Sequence, residues 1–156
     1  ISAYQIYIRA NTGHKSLDDI KAARDAPRCA ETGVGSMNYA HIRLIEAVFG
    51  VAFKPVLGYK GGGEMNMATE RGEVVCRSTT ISALLTTEPL KAWLKTGFIR
   101  VLAQSGKERH PALPDVPTLW EIAEKYGVSD EDRQLMRLVL AVICGKNIKR
   151  WRDINT

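Results

Sequence analysis

Two glycine-rich turns contain the residues best suited to bind a ligand. The first is Glu31-Thr-Gly-Val-Gly-Ser36 and the second is Tyr59-Lys-Gly-Gly-Gly63, each with a hydrophobic segment before it and a helix-forming segment after it. Glycine lets a ligand approach the backbone closely. A helix that begins at such a turn directs unpaired N–H groups and the positive end of its dipole toward the ligand. The two turns together predict a cleft that binds an anion, most simply a carboxylate or a phosphate.

Neither turn matches a nucleotide-binding signature. Gly33-x-Gly35 lacks the third glycine and the following acidic residue of a dinucleotide fingerprint, and the triple glycine ending at Gly63 lacks the Lys-Ser/Thr of a P-loop. On these residues alone, ordinary tight turns and binding turns fit equally well. We expect Ser36 to cap the following helix, with a hydroxyl that could also meet a ligand. Tyr59 either flanks a pocket or covers the end of a strand.

The sequence does not point to a catalytic centre. Cys76 has Arg77 beside it, which could lower the pKa of the thiol, but no histidine is close in sequence. His41 is expected to be packed or solvent-facing rather than a base. Cys29, Cys76 and Cys144 are an odd number without paired spacing, which argues against a disulfide framework and against a metal site. We therefore expect buried, unreactive thiols and predict no catalytic residue, metal or cofactor.

Length and composition indicate a single globular domain. The chain has 156 residues, of which 45% are apolar, and a net charge of +5. Its basic residues are spread out except for Lys146 to Arg152, and no nucleic-acid-binding motif accompanies them, so nucleic acid is not an expected partner. The longest apolar run, Leu138 to Cys144, is too short to span a membrane. No signal peptide is visible, and because the chain opens with Ile1 we expect a mature or trimmed piece.

Hydrophobic periodicity predicts strands that alternate with helices. The predicted strands are 4–9, 28–30, 53–57, 74–76 and 98–103; the predicted helices are 16–24, 37–49, 64–70, 78–85, 88–95, 118–126 and 129–143. This order favours an α/β domain with a largely parallel sheet and helices on both faces. In such sheets ligands bind at the carboxyl ends of the strands, where both glycine turns should lie. We assign residues 1–144 to this α/β lobe and residues 145–156 to a basic tail without clear periodicity.

Four motifs in order resemble one known family. They are Thr32-Gly-Val-Gly-Ser36, Gly58-Tyr-Lys-Gly-Gly-Gly63, Glu70-Arg-Gly-Glu-Val74 and Lys107-Glu-Arg-His-Pro-Ala-Leu-Pro-Asp-Val-Pro117. Together they resemble the tripartite tricarboxylate transporter substrate-binding proteins, also called Bug proteins. The last motif, followed by Thr118-Leu119, is the most specific, and the match spans about Leu17 to Ile143. The family's chains are about twice as long, so this sequence resembles their second lobe with its crossover strands.

The resemblance implies a type II periplasmic binding protein fold, in which two α/β lobes close over a small organic acid. The ligand is often a di- or tricarboxylate, which such proteins deliver to membrane transporter subunits from the periplasm, without catalysis and usually without a metal. Carried over by motif, the second-lobe ligand contacts fall at Thr32, Gly33, Ser36, Met37, Tyr59, Gly61 and Gly62. Neutral donors of this kind would bind a carboxylate reversibly, without a buried ion pair.

The sequence departs from the family pattern at three places. Relatives carry an acidic residue after Glu70-Arg-Gly-Glu-Val74, where this chain has Val75 and Cys76. Glu31 stands where a small neutral residue is usual, and a carboxylate at the pocket edge would repel an acidic ligand. The tail from Gly145 does not match the family's usual return to the first lobe.

Two other functions and one assembly state stay open on the sequence. A small α/β enzyme could use Cys76 or Glu31 as its reactive group with His41 as a base, and a basic interaction module could act through Lys146 to Arg152. A separated lobe would also expose apolar surface, which makes a homodimer conceivable.

Overall fold

The computed structural model of this chain describes residues 3–144, in which strands and helices alternate as expected. The strands are β1 (Tyr4–Arg9), β2 (Arg28–Ala30), β3 (Lys54–Val56), β4 (Cys76–Thr80) and β5 (Ile99–Gln104). The helices are α1 (Leu17–Ala22), α2 (Met37–Phe49), α3 (Gly62–Arg71), α4 (Ile81–Thr86), α5 (Leu90–Thr96), α6 (Leu119–Tyr126) and α7 (Asp130–Ile143), with a 3₁₀ turn at Ala10–Thr12. The predicted tail, 145–156, lies outside the described residues.

The five strands form one sheet in the order β3-β2-β4-β1-β5. Strand β2 pairs in parallel with β3 and β4, whereas β1 pairs antiparallel with β4 and with β5. Four strands therefore run in one direction and only β1 runs against them, which confirms the predicted mostly parallel sheet. Because β1 is reversed, its first residue, Tyr4, lies opposite Thr80, so the start of β1 shares an edge with the carboxyl ends of the other strands.

Helices cover both faces of the sheet, as predicted. On one face, Ile6 and Ile8 of β1 pack in a core with residues of α1, α2, α6 and α7. On the other face, Tyr7 packs with residues of α4 and α5, and Ala30 packs with α3. Alternate residues of a strand point to opposite faces, so β1 contributes to both cores. The sheet is a middle layer, and only its edges are available for a ligand.

Strand β4 differs from the prediction. The sequence predicts a strand at 74–76 and a helix from residue 78, but β4 runs from Cys76 to Thr80 and α4 begins at Ile81. Serine and threonine carry a weak strand signal by themselves. Here the ladder with β1, from Tyr4 opposite Thr80 to Ile8 opposite Cys76, supplies the hydrogen bonds that extend the strand. The side chain of Thr80 then accepts a bond from the Ala83 N–H and caps α4.

A disulfide joins Cys29 to Cys76, so the expectation of unpaired thiols at these positions is wrong. The two residues are register partners on the neighbouring parallel strands β2 and β4, with their Cα atoms 4.3 Å apart. Cysteine spacing could not reveal the pair, because a parallel crossover separates them by 47 positions. Cys144 is buried and takes no part in this disulfide.

Candidate functional site

The first glycine turn connects β2 to α2. Ser36 is the N-cap of α2, and its hydroxyl accepts a 3.1 Å hydrogen bond from the Tyr39 N–H, which is the capping role expected from the sequence. Gly33 and Gly35 do not have the left-handed φ that requires glycine, and no atom lies within 4 Å of the position a Cβ would take at either residue. The backbone at Gly33 and Gly35 does not need glycine for its conformation. The absence of side chains there leaves open space above the backbone.

The second glycine turn connects β3 to α3 and lies directly beside the first. The Gly58 N–H donates to the Thr32 carbonyl at 3.3 Å, and the Tyr59 N–H donates to the Glu31 carbonyl at 3.4 Å. Gly58 has a φ of 100°, a backbone conformation that residues other than glycine rarely adopt. Gly61 is the N-cap of α3 and provides no side-chain cap, so the first N–H groups of that helix keep their capacity to bind an acceptor.

The residues predicted from the family motifs therefore meet at one edge of the sheet. Thr32, Gly33 and Ser36 follow the carboxyl end of β2, and Tyr59, Gly61 and Gly62 follow the carboxyl end of β3. Met37, the first residue of α2, is 45% exposed. Their contact with a ligand remains a prediction, but their placement in one mouth is the arrangement that such contact requires.

Glu31 is buried under the two turns instead of standing at the pocket edge. It is 1% exposed, and neither carboxylate oxygen has a hydrogen-bond partner within residues 3–144. Burial raises the pKa of Glu31 to about 7, against the lowering effect of Arg77 and, to a smaller degree, Arg43. Near neutral pH this side chain is therefore protonated in a large part of the molecules, which weakens the repulsion of an acidic ligand that a permanent carboxylate would exert.

Arg77 lies beside the second glycine turn and is not among the residues predicted from the family motifs. It lies on β4 and is 8% exposed; its Nη1 donates to the side-chain oxygen of Asn66 on α3 at 3.0 Å. Its Nη2 lies 3.3 Å from the position that a Cβ would take at Gly62. A guanidinium group therefore lies against the start of α3. The sequence prediction ended this strand at residue 76. A prediction that extended it would have placed Arg77 on a buried strand.

His41 connects three elements at the same edge of the sheet. Its ring is fully buried, with Nδ1 2.7 Å from the Ser78 hydroxyl and Nε2 2.5 Å from the Ser105 hydroxyl. Burial lowers the pKa of His41 to about 3, so the ring is neutral, with one nitrogen donating and the other accepting. The histidine is packed, which is one of the two alternatives expected from the sequence. It links α2 to the middle of β4 and to the residue that follows β5.

The enzyme hypothesis finds little support in this geometry. Cys76 is bonded to Cys29, and the serines beside His41 are as buried as the ring itself. Glu31 makes no hydrogen bond to a histidine. Within residues 3–144, no group of three or more histidine, cysteine, aspartate or glutamate side chains is arranged to hold a metal ion. None of the helices described for this chain has the length and apolar character needed to cross a membrane.

A second depression, of about 260 Å³, lies between α1, α6 and the loop that follows β5. Its charged groups already have partners. Asp18 accepts hydrogen bonds from Lys125 at 2.8 Å and from the Tyr126 hydroxyl, and Arg109 binds both carboxylate oxygens of Glu121 at 3.0 and 2.6 Å. These pairs tie the loop and α1 to α6, and they leave no charged group of this depression unpaired for a ligand.

Comparison with known proteins identifies the fold. No protein-family model matches the chain, and no curated protein sequence matches it. Among solved structures, the chain is similar to a TctC solute-binding protein from Polaromonas, with 19% identity and a TM-score of 0.66 over 98% of this chain and 55% of that one. It is also similar to an R. palustris protein with adipate, with 18% identity and a TM-score of 0.64 over 99% of this chain and 55% of that one. A third similar structure is MatC from Rhodopseudomonas palustris with bound malate, with 18% identity and a TM-score of 0.62 over 91% of this chain and 52% of that one.

The similarity covers nearly all of this chain but only about half of each solved structure. The chain therefore has the fold of one part of a type II periplasmic binding protein of the TctC and Bug kind, as the four sequence motifs indicated.

Proposed function

We propose that this chain is one lobe of an extracytoplasmic solute-binding protein that binds a small organic carboxylate for a tripartite tricarboxylate transporter. The observation that carries the proposal is the pairing of the two glycine turns. They are joined by the hydrogen bonds from Gly58 to Thr32 and from Tyr59 to Glu31, and each opens a helix of at least ten residues. Two helix N-termini in one mouth favour an anionic ligand.

A carboxylate fits this mouth better than a phosphate-bearing nucleotide. The turns lack both nucleotide signatures, and the open space above Gly33 and Gly35 admits a compact group close to the backbone. Adipate and malate, which accompany two of the similar structures, are both dicarboxylates. The hydroxyls of Thr32 and Ser36 and the N–H groups at Gly61 and Gly62 are the donors that we assign to the ligand.

In our proposal the other half of the cleft comes from a lobe corresponding to the part of the similar structures that this chain does not cover. β1 begins at the mouth, so a preceding lobe would be connected at the place where the ligand enters. Val34, Met37 and Leu57, which are 68%, 45% and 48% exposed, lie in or beside the two turns and form an apolar rim suited to a covering surface. That surface is the first lobe in our proposal, and a second copy of this chain is the alternative occupant.

The disulfide supports a location outside the cytoplasm. Cys29 and Cys76 are both fully buried in the sheet, and disulfides of this structural kind persist in oxidising compartments such as the periplasm. The transporter subunits remain part of the proposal through the motif resemblance.

Thermal unfolding of this chain with millimolar adipate, malate, citrate, hexanoate and phosphate would test the proposal. A ligand that binds the native state raises the melting temperature, and we expect a selective rise with the carboxylic acids. Gly33→Val fills the open space above the first turn and should remove the shift while leaving the fold intact. Ala92→Val on the exposed face of α5 is the matched control. A shift that is equal in both variants, or the absence of any shift with acids, would contradict the proposal.

A further inference from the structure

Glu31 is buried where the two glycine turns are joined. Its backbone N–H donates to the Val56 carbonyl at 3.0 Å, and its carbonyl accepts a hydrogen bond from the Tyr59 N–H at 3.4 Å. Its side chain is 1% exposed, and neither carboxyl oxygen has a hydrogen-bond partner within residues 3–144. A fully buried glutamate without a partner is rare in native proteins, so this position indicates a role beyond packing.

Two cations face Glu31, and both have other partners. Arg77 acts on it from β4 and Arg43 from α2, but within residues 3–144 neither forms an ion pair with it. Arg77 donates to the side-chain oxygen of Asn66 at 3.0 Å, and Arg43 pairs with Glu46 at 2.7 Å. Glu31 can therefore change its charge without breaking a hydrogen bond, and burial and the charges near it decide its protonation.

The position of Glu31 couples its charge to an anion held at the mouth. Thr32, whose hydroxyl we assign to the ligand, is the next residue in the chain. An anion bound at the turns is repelled by ionised Glu31 and not by the protonated acid. Water screens this repulsion poorly because the side chain is buried. By linkage, the anion favours protonation of Glu31 by the same free energy by which ionised Glu31 weakens anion binding.

We propose that Glu31 makes anion binding at this mouth dependent on pH: the mouth binds its carboxylate ligand tightly when Glu31 is protonated and weakly when Glu31 is ionised. This inference rests on the proposed function and adds a regulation of the same site. The change falls near neutrality, because burial raises the pKa of Glu31 to about 7. Affinity is therefore highest below that pH and declines above it, as the free protein loses the proton that the bound form retains.

Other buried groups on the neighbouring strands and on α2 keep one protonation state near neutral pH. Burial lowers the pKa of His41 to about 3, so its ring stays neutral. Burial also raises the pKa of Tyr7 above that of an ordinary tyrosine, so the phenol keeps its proton. Cys29 and Cys76 form a disulfide and have no thiol to ionise. We therefore expect a change in anion affinity between pH 6.5 and pH 8.5 to come from Glu31.

Isothermal titration of this chain with adipate at pH 6.5 and pH 8.5, at equal ionic strength, tests the inference, because adipate keeps both charges over this range. We expect wild type to bind on the order of tenfold more weakly at pH 8.5, a usual size of coupling between two sites. Glu31→Gln cannot ionise, so it should bind adipate equally at both pH values. Glu64→Gln, which removes an exposed carboxylate at the start of α3, is the matched control and should keep the wild-type dependence.

A second measurement follows the proton itself. Titration with adipate at pH 7.5 in two buffers with different heats of ionisation measures the protons taken up on binding. Wild type should take up part of a proton for each adipate bound, because the anion favours protonation of Glu31. Glu31→Gln should take up none.

The outcomes separate this inference from the proposed function. If wild type binds adipate equally at both pH values, the role of Glu31 is overturned while carboxylate binding stands. The same holds if Glu31→Gln, or Glu31→Met where the glutamine variant does not fold, keeps the wild-type pH dependence. If wild type binds no acid at either pH, the proposed function fails and the inference fails with it.

Discussion

Two buried polar clusters lie at the same edge of the sheet and differ in whether their hydrogen bonds are complete. The first contains His41, Ser78 and Ser105 on the α2 side, where both ring nitrogens have a hydroxyl within 2.7 Å. The second contains Arg77 and Tyr7, with Gln5 beside them, on the α3 side, where the Gln5 amide has no hydrogen-bond partner within residues 3–144 and the Tyr7 phenol interacts with the Arg77 guanidinium. Both are as buried as the apolar core.

The difference indicates different roles. A satisfied buried network positions the elements that it joins, and its removal leaves unpaired groups behind. A buried polar group without a partner instead costs stability. The α2 cluster therefore joins α2 to the middle of β4 and to the residue after β5, whereas the α3 cluster leaves a buried amide without a partner within residues 3–144. Four predictions follow from the burial of these polar groups and of Glu31.

His41→Leu should give the largest effect. The change leaves the hydroxyls of Ser78 and Ser105 buried without their partner, which should lower the free energy of unfolding by about 2–5 kcal/mol. Urea unfolding at pH 7.5 measures it, with His14→Leu in the loop after β1 as the control. If His41→Leu lowers the free energy of unfolding by less than the control does, the α2 cluster does not stabilise this edge of the sheet.

Acid should destabilise the wild type through the same residue. The pKa of His41 is about 3 in the folded chain and 6.5 is its ordinary value, so only the unfolded chain takes up the proton as pH falls between them. The stability from this residue is complete above pH 6.5 and is lost toward pH 3. His41→Leu should not show this part of the acid dependence.

Glu31→Gln should give an intermediate effect of opposite sign. The folded pKa of about 7 lies above the ordinary value of 4.5, so the folded chain holds the proton more tightly, and wild type loses stability as pH rises from 4.5 to 7. The glutamine variant does not ionise and avoids that loss. At pH 8 its free energy of unfolding should exceed that of wild type by on the order of 2 kcal/mol, and this difference should shrink toward pH 4.5. Urea unfolding at several pH values measures this. A difference independent of pH would contradict a buried, uncompensated carboxyl.

Gln5→Leu should have the smallest effect and the most direct bearing on the contrast. The amide of Gln5 has no partner to lose, so an apolar side chain of similar size should leave the free energy of unfolding within about 1 kcal/mol of wild type, or raise it. Gln104→Leu is the matched control, because the Gln104 amide donates to the carbonyls of Leu113 and Val116 at 3.0 and 2.8 Å. Equal losses in the two variants would mean that the α3 cluster is satisfied after all.

The sequence alone determined the features that depend on near neighbours. The spacing of apolar residues gave the bounds of α2, and the caps at Ser36, Thr118 and Ser129 lie where they were predicted, with Glu121 completing a capping box. These features form between residues a few positions apart, so local chemistry is sufficient. The glycine turns and the alternation of strands and helices, which together predict the binding edge, belong to the same class.

The tertiary structure alone decided the features that depend on pairing between distant strands. The ladder with β1 extends β4 through Thr80, the register of β2 with β4 joins Cys29 to Cys76, and the packing of α3 over the sheet places Arg77 against Gly62. The burial of Glu31, which shifts its pKa toward neutral, has the same origin. Each brings together residues that are far apart in the chain, and no local periodicity records which strands become neighbours or which side chains lose contact with water.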